Sequence, residues 1–227
     1  MRGHLKYSPG LDAAAIRTIS LRYKGHWLQG YVRGKLRSDP VYRKAAGIIA
    51  AFPAPVLDIG CGPGLMAHYL DASGVDVPYT GLDADARKIS SADGSIRGLA
   101  GMCFEHADCL TLPDWQGHVI ILDVLHYLDA ETQSRLLQAA ISRTGPGASL
   151  VIRSVLRDKT WRFRTTQIEE TFIKGSRWIP NGVKHYPRIE ELARPMEEAG
   201  LVTETAPLYG HTPFNSYLIW GRRPLQA

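Results

Sequence analysis

The chain has 227 residues, of which 44% are hydrophobic, and a formal net charge of +5. This length suits one α/β domain with an added segment and supplies enough apolar residues for a sizeable core. Three cysteines without C-x-x-C spacing argue against a disulfide framework and favour a reducing cytoplasm. We expect no membrane span and no signal peptide, because no apolar run approaches 18 residues and no apolar segment follows the first basic residues.

Charge is distributed unevenly along the chain. Residues 1–50 carry ten Lys and Arg against two acids, and residues 153–188 carry nine against three. Residues 51–152 carry only five basic residues against twelve acids. A basic surface attracts anionic ligands or partners, although Lys and Arg also simply solvate exposed helices. The pattern predicts an acidic core flanked by two basic segments.

The first of these basic segments belongs to residues 1–53, which we expect to form a helical cover. Tyr23, Trp27 and Tyr31 recur every four residues, a spacing that places side chains on one helical face. Three nearby glycines weaken any long helix there, and Asp39 before a proline marks the start of the next helix. The aromatic stripe is either core packing or a lid over an aromatic ligand.

A buried strand that turns sharply into a helix is predicted next. An apolar run contains Asp58 and leads into three glycines at alternate positions, Gly60, Gly62 and Gly64. These glycines let a ligand approach the backbone, and the following helix points its free N–H groups into the turn. Such a turn binds a nucleotide-like cofactor. The dinucleotide fingerprint needs its third glycine one residue later, where this chain has Leu65.

Three further predicted strands carry an acid at or near their ends. These acids are Asp83, about 20 residues beyond the glycines, then Asp108, and then Asp123 in the apolar run from His118 to Leu125. An acid at the second strand tip accepts hydrogen bonds from ribose hydroxyls. The near-continuous apolar character of the run around Asp123 is typical of a central strand covered on both faces.

The rest of the chain continues the alternation of helices and strands. We predict a helix at about 129–144, a strand at 149–155, a helix at about 189–199, and two final apolar stretches at 202–209 and 216–220. This order predicts a doubly wound α/β sheet with helices on both faces.

The segment from Val56 to Gly64, with the pattern hh-D-h-G-x-G-x-G, resembles the first motif of class I S-adenosylmethionine (SAM) methyltransferases. The acidic strand tips follow in the family's order, and the resemblance covers about three quarters of the chain. It implies a Rossmann-like, mostly parallel sheet with an antiparallel C-terminal hairpin in residues 54–227. Residues 1–53 and an insertion at about 156–188 would then build the substrate side. SAM would be the cofactor and S-adenosylhomocysteine (SAH) the product.

The resemblance also implies a set of cofactor-binding residues. They are Asp58, Gly60, Gly62, Gly64, Asp83, Asp108, Cys109 and Asp123. Asp83 would hold the ribose, and Asp108 would receive the adenine amino group beside the Cys109 backbone. Arg153 stands where a metal-dependent enzyme of this class would need further acids or Asn, so we predict no metal.

His126 is the candidate catalytic residue, because it directly follows the strand whose tip faces the methyl donor in this fold. Methyl transfer is an in-line displacement to which the protein mainly contributes alignment. If an oxygen or a phenol-activated carbon attacks, a neutral His126 can take the proton. The alternative is that His126 caps the strand end or positions SAM.

The acceptor is predicted to be small, aromatic, and either anionic or tethered to a carrier, with O- or C-methylation. The aromatic and histidine residues of the two basic segments would face it. These substrate-side candidates are Tyr23, Trp27, Tyr31, Trp161, Trp178, His185 and Tyr186.

The run from Leu21 to Trp27, with Lys35 to Pro40, is similar to methyltransferases of bacterial aryl polyene pigment clusters. That similarity implies an aromatic head group on an acidic acyl carrier protein. Two alternatives stay open. An RNA methyltransferase fits the basic and aromatic segments, although nucleic acid ranks below a small molecule because no RNA-binding module is recognisable. A SAM-binding protein without turnover would share the same fold.

Overall fold

The computed structural model describes residues 10–158, 160–163, 165, 182–209 and 215–225. Trp178, one of the predicted substrate-side residues, lies outside this part of the chain. None of the helices among the described residues is long and apolar enough to cross a membrane.

In the described part of the chain, three helices precede the sheet. They are α1 (Ala13–Leu21), α2 (His26–Ser38) and α3 (Val41–Ala50). The glycines expected to weaken a long helix do not end it, since α2 begins after Gly25 and runs for 13 residues through Gly30 and Gly34. Its Val32 and Leu36 are buried in the core, and this apolar burial offsets a cost of roughly 1 kcal/mol per glycine.

Of the three aromatic residues predicted to share one helical face, only two do so. Trp27 and Tyr31 stack on α2, with ring centroids 5.9 Å apart and an interplanar angle of 6°. Tyr23 precedes α2, in the connection from α1, and only 2% of its surface is exposed. The chain turns between Tyr23 and Trp27, so the four-residue spacing does not correspond to one helical turn there.

Seven strands form one sheet. They are β1 (Val56–Ile59), β2 (Tyr79–Asp83), β3 (Met102–His106), β4 (His118–Leu122), β5 (Ser149–Val155), β6 (Val202–Pro207) and β7 (Ser216–Arg222). Their order is β3-β2-β1-β4-β5-β7-β6. Strands β1 to β5 pair in parallel, whereas β7 runs antiparallel to both β5 and β6. The predicted doubly wound sheet with an antiparallel C-terminal hairpin is confirmed.

Helices cover both faces of this sheet. After β1, the described residues include α4 (Leu65–Ala72), α5 (Ala86–Ser95), α6 (Ala130–Arg143) and α7 (Ile189–Glu198), with a 3-10 turn at Leu125–Tyr127. Successive residues of a strand point to opposite faces, and Val56 and Leu57 accordingly belong to different apolar clusters. The cluster around Val56 includes side chains of α1 to α5, and the cluster around Leu57 includes those of α6 and α7.

Two strands end earlier than predicted. β3 ends at His106, so Asp108 and Cys109 lie in the loop beyond it; there Asp108 Oδ1 accepts a hydrogen bond of 2.9 Å from Leu110 N and turns the chain. β4 ends at Leu122 because Asp123 has a φ of 61°, which an extended strand cannot include.

Candidate active site

The carboxyl ends of β1, β2, β4 and β5 meet at one edge of the sheet, since these strands are parallel. The chain leaves β1 towards β2 on one side and later returns to β4 on the other. Ligands of open α/β sheets bind at such a switch point, beyond the carboxyl ends of the strands. The glycine turn after β1, Asp83 at the end of β2 and Asp123 after β4 all lie at this edge.

The glycine turn between β1 and α4 has room for a ligand at its middle glycine. All three glycines have positive φ, with 78° at Gly60, 58° at Gly62 and 82° at Gly64. A Cβ on Gly60 would overlap Val124, and one on Gly64 would overlap Phe104. A Cβ on Gly62 would meet no heavy atom within 4 Å in the described part of the chain. Gly60 and Gly64 thus serve packing, whereas Gly62 faces open space.

Asp83 ties this turn to the end of β2. Its Oδ2 accepts a hydrogen bond of 2.9 Å from Gly62 N, and its Oδ1 accepts one of 2.8 Å from Asp85 N. The assignment of Asp83 to the ribose stays a prediction. Each carboxylate oxygen has a second lone pair, so both oxygens can still receive ligand hydroxyls.

Asp58 lies on β1, two residues before Gly60, and is 2% exposed. The Tyr79 hydroxyl donates a hydrogen bond to its Oδ2, while its Oδ1 is buried with no partner among the described residues. Burial raises the pKa of Asp58 to about 7, against the opposing effect of the Tyr79 hydrogen bond. Buried polar atoms normally have partners, and a donor on a bound ligand would supply one here.

Asp108 and Cys109 lie one strand further from the switch point, after β3. Asp108 is exposed and Cys109 is half-buried, and burial raises the pKa of the Cys109 thiol. Asp108 Oδ1 already accepts the Leu110 backbone bond described above. The assignment of both residues to the adenine stays a prediction.

A network of four charged side chains joins the N-terminal helices to the tips of β4 and β5. Arg153 Nη1 lies 2.7 Å from both Asp39 Oδ2 and Asp123 Oδ2. Lys35 Nζ lies 2.9 Å from Asp39 Oδ2 and 3.8 Å from Asp123 Oδ2. We call these four residues the charge quartet. Its two cations and two anions balance, so none of its members is an uncompensated charge.

The charge quartet changes the interpretation of two predicted residues. Lys35 was one of the basic residues expected to attract an anionic acceptor, but Asp123 and Asp39 raise its pKa, against the opposing effect of burial, and engage its charge. Asp123 was expected to contact SAM, and its side chain is 34% exposed but held by Arg153. Among the described residues, Asp123 alone combines a positive φ with a side chain, a conformation typical of functional sites.

His126 lies in the 3-10 turn after β4 and is 4% exposed. Its backbone oxygen accepts a hydrogen bond of 2.9 Å from Lys184 N, in the second basic segment. Burial lowers the pKa of the imidazole to about 4, which Asp123 partly opposes. Nδ1 is buried and has no partner in the described residues. His126 is therefore neutral at physiological pH and lies under the turn rather than on its surface.

Gln133 is a buried residue of α6 that supports this turn and that sequence reasoning missed. Its Nε2 donates to the backbone oxygens of Leu125, Leu128 and His185, at 2.8, 3.1 and 2.9 Å. One amide on the core side of α6 thus holds both the turn and the second basic segment. The sequence signal that could have revealed it is an amide within the apolar stripe of an amphipathic helix, because a buried amide needs partners.

The described substrate-side residues of the second basic segment form separate contacts. Trp161 is 63% exposed, and the Arg162 guanidinium lies 4.8 Å from its ring centre and 4.4 Å from that of Tyr209. Tyr186 packs edge-to-face on Phe163, with centroids 5.1 Å apart. His185 instead pairs with a carboxylate, its Nε2 lying 3.3 Å from Glu191 Oε2.

We predict that acidification destabilises the protein through two buried histidines. Burial lowers the pKa of both His68 and His126 to about 4, from a usual value of 6.5. Between these values the unfolded chain binds more protons than the native one, so the free energy of unfolding falls as the pH drops from 6.5 to 4. The loss approaches about 3 kcal/mol per histidine.

Urea denaturation at pH values from 4.5 to 7.5 measures this slope, and H68Q should show a shallower one than the parent. Identical slopes in parent and variant would contradict the assignment to His68.

Comparison with known proteins agrees with this geometry. Residues 31–206 match a family model described as a methyltransferase domain. Magnesium protoporphyrin IX methyltransferase (ChlM) from Synechocystis PCC 6803, with bound SAH, superposes with a TM-score of 0.65 at 17% identity, covering 92% of this chain and 93% of that one. Mitomycin 7-O-methyltransferase MmcR gives a TM-score of 0.64 at 23% identity, covering 86% and 56%. Identities this low establish the fold alone.

A relative from Mycobacterium tuberculosis, Rv1506c, which is named as a candidate methyltransferase, is 38% identical over 55 residues. These are 24% of this chain and 33% of that protein, so the match spans about a third of the relative's length.

The strand order and the antiparallel C-terminal strand are those of the class I SAM-dependent methyltransferase fold, and a structural neighbour with this fold is also known with SAM bound. The matched region exceeds half of the sequence. The chain belongs to the family described as methyltransferase domain.

Proposed function

We propose that this protein transfers the methyl group of SAM to an oxygen or carbon of a small aromatic acceptor that is anionic or carrier-bound. The observation that carries the proposal is the arrangement along α2. Trp27, Tyr31 and Lys35 follow one another at four-residue intervals, so they share one face of the helix. Lys35 reaches Asp123 beside β4. The stacked aromatic pair therefore lies on the helix face that leads to the methyl-donor edge of the sheet.

The cofactor part of the proposal rests on the residues around the glycine turn. The open side of Gly62 leaves space for SAM, Asp83 is placed to accept its ribose hydroxyls, and the unpartnered Asp58 Oδ1 offers an acceptor. When bound, SAM supplies an electrophilic methyl group on a positively charged sulfur. The protein contributes alignment and the exclusion of water.

The protein's three cysteines are free thiols, in keeping with the cytoplasmic location that we propose.

His126 has two candidate roles within this function. Its neutral ring satisfies the first requirement of a general base, but a pKa of about 4 makes it a weak one. The buried Nδ1 and the contacts of its backbone with the second basic segment favour a role in ordering the turn that carries Asp123. If His126 is the base, H126A should lose kcat at nearly unchanged SAM affinity, whereas in a positioning role H126A should lose SAM affinity while residual turnover stays normal.

Charges on the outer face of α2 support an anionic acceptor. Arg33 and Arg37 are exposed and one turn apart, while Lys35 between them is engaged in the charge quartet. Two of the structural neighbours, ChlM and MmcR, carry names that describe small-molecule acceptors, in agreement with a small molecule here.

An acceptor assay tests the proposal. The enzyme is offered an aryl acyl chain on an acyl carrier protein, the same group on a short neutral thioester, and structured RNA, each at low and moderate salt. We expect preference for the carrier-bound form, and a KM for it that rises several-fold in the R33E/R37E variant at unchanged SAM affinity, because exposed charges steer association and are screened by salt.

The R97E/R135E variant is the matched control, since it makes the same change in charge at exposed residues outside the N-terminal helices. Equal rates on carrier and thioester without salt dependence would contradict the carrier. Transfer to RNA alone would establish the RNA alternative, and SAM binding without any transfer would indicate a binding protein.

A further inference from the structure

A residue between the N-terminal helices α1 and α2 forms a hydrogen bond to a backbone carbonyl of the glycine turn. The Tyr23 hydroxyl, in the connection between α1 and α2, donates a hydrogen bond of 2.8 Å to Pro63 O. Pro63 stands between Gly62, which faces the open space, and Gly64, which caps the N-terminus of α4. Both Tyr23 and Pro63 are buried. Without the hydroxyl, the Pro63 carbonyl would lose a donor in a place where water is excluded.

Tyr23 is itself fixed by side chains of α4 and α5. Its ring meets His68 edge-to-face, with centroids 5.6 Å apart. His68 Nε2 lies 2.8 Å from Ser95 Oγ, which donates to Ala92 O at 2.7 Å. Because the Ser95 proton is directed to this carbonyl, His68 Nε2 must donate to Ser95, so the imidazole has one defined tautomer.

The backbone around Tyr23 is also anchored on two sides. Gln29 Nε2, on α2, donates to Tyr23 O at 2.9 Å. Arg22 Nη1 donates to Ser95 O and Arg97 O, each at 3.2 Å, at the end of α5. The hydroxyl therefore approaches Pro63 from a position that α2, α4 and α5 determine together.

We infer that Tyr23 is a positioning residue for SAM, which holds the glycine turn in its binding conformation and couples the N-terminal helices to the cofactor. The path is short: Tyr23 fixes Pro63 O, the neighbouring Gly62 N binds Asp83 Oδ2, and Asp83 is the predicted ribose ligand. Coupling is reciprocal. Cofactor binding should therefore restrain the connection that carries Tyr23 and the helix that follows it.

The Y23F variant tests this inference, because phenylalanine keeps the ring against His68 and removes only the hydroxyl. We expect its Kd for SAH, measured by calorimetry, to rise about three- to tenfold. Hydrogen exchange gives a second measurement that needs no turnover. In the parent, SAH should slow exchange of the amides of α2, and Y23F should lose most of this protection.

Y69F is the matched control. Tyr69 is a buried tyrosine of α4 whose ring stacks on Tyr42 of α3, with centroids 6.1 Å apart, so it also links α4 to the N-terminal helices, but through its ring and not through a hydrogen bond to the glycine turn. We expect its SAH affinity to equal that of the parent. Equal weakening in Y23F and Y69F would mean that Tyr23 acts only through stability and would overturn the inference.

The inference rests on the proposed cofactor, and the two fail in different ways. A parent protein that does not bind SAH overturns the cofactor assignment. A parent that binds SAH, with Y23F binding equally well, overturns only the role of Tyr23. Should Y23F not fold, the parent still decides, because absence of SAH-dependent protection in α2 contradicts the coupling.

Discussion

Replacing Gly62 with alanine should weaken SAH binding at least tenfold while leaving the fold intact. A Cβ at this position points into open space in the described structure, so it collides with nothing until a ligand approaches the turn. The φ of 58° is accessible to alanine at a cost of roughly 1–2 kcal/mol. Calorimetry with SAH, together with urea denaturation, separates the binding effect from this strain.

Gly74 provides the control for Gly62. It also has a positive φ, of 70°, and open space around a Cβ, but it lies at the far end of α4. G74A should therefore suffer similar strain and bind SAH like the parent. If G62A and G74A bound SAH equally well, the open side of Gly62 would not be part of the cofactor site.

Removal of the Arg153 guanidinium in the variant R153A should lower the free energy of unfolding more than any other single substitution that we propose. R153A leaves Asp39, whose side chain is 7% exposed, without its strongest partner. Breaking a buried ion pair by removing one member costs about 3–5 kcal/mol. Burial opposes the ionisation of Asp39, but Arg153 and Lys35 together lower its pKa. The stabilisation that ionised Asp39 provides is therefore fully present above the pKa of Asp39 in the unfolded chain. It is lost as the pH falls through the lower pKa of Asp39 in the native protein.

Urea denaturation at neutral pH measures this effect, and R194A is its control. Arg194 and Glu198 form an ion pair on the surface of α7, with side chains 78% and 62% exposed, so its loss should change stability little. The double variant D39A/R153A should be less destabilised than the sum of the single variants, since it removes both charges. Strict additivity would contradict a network of coupled charges.

The parts of this structure that the sequence predicts are local. The spacing of the glycines and the apolar run before them predict β1, the turn and the helix that follows it, because each depends on neighbouring residues. Likewise, β5 is predicted with its observed bounds, since a short run built around Leu150, Val151 and Ile152 soon after a Gly-Pro-Gly turn is typical of a buried strand.

The contacts that hold the site together are not local, which is why the sequence did not reveal them. Arg153 and Asp39 are 114 residues apart in the chain, and Tyr23 and Pro63 are 40 apart. Only the folded topology brings such pairs together. The same reason explains the length of α2: intrinsic propensity disfavours its glycines, and burial against a core assembled from distant residues decides the outcome.

Side chains of α1, α2 and α3 share one apolar cluster with α4, α5 and the sheet. A segment that contributes to the common core cannot be exchanged between relatives as an independent module. A chimaera designed to transplant acceptor preference would have to carry matching changes at the far ends of its contacts, in β5 as well as in the glycine turn. Changes in acceptor choice and in cofactor binding would therefore be linked during evolution. A substitution in the N-terminal helices would call for a compensating substitution in the sheet or in the glycine turn that it contacts.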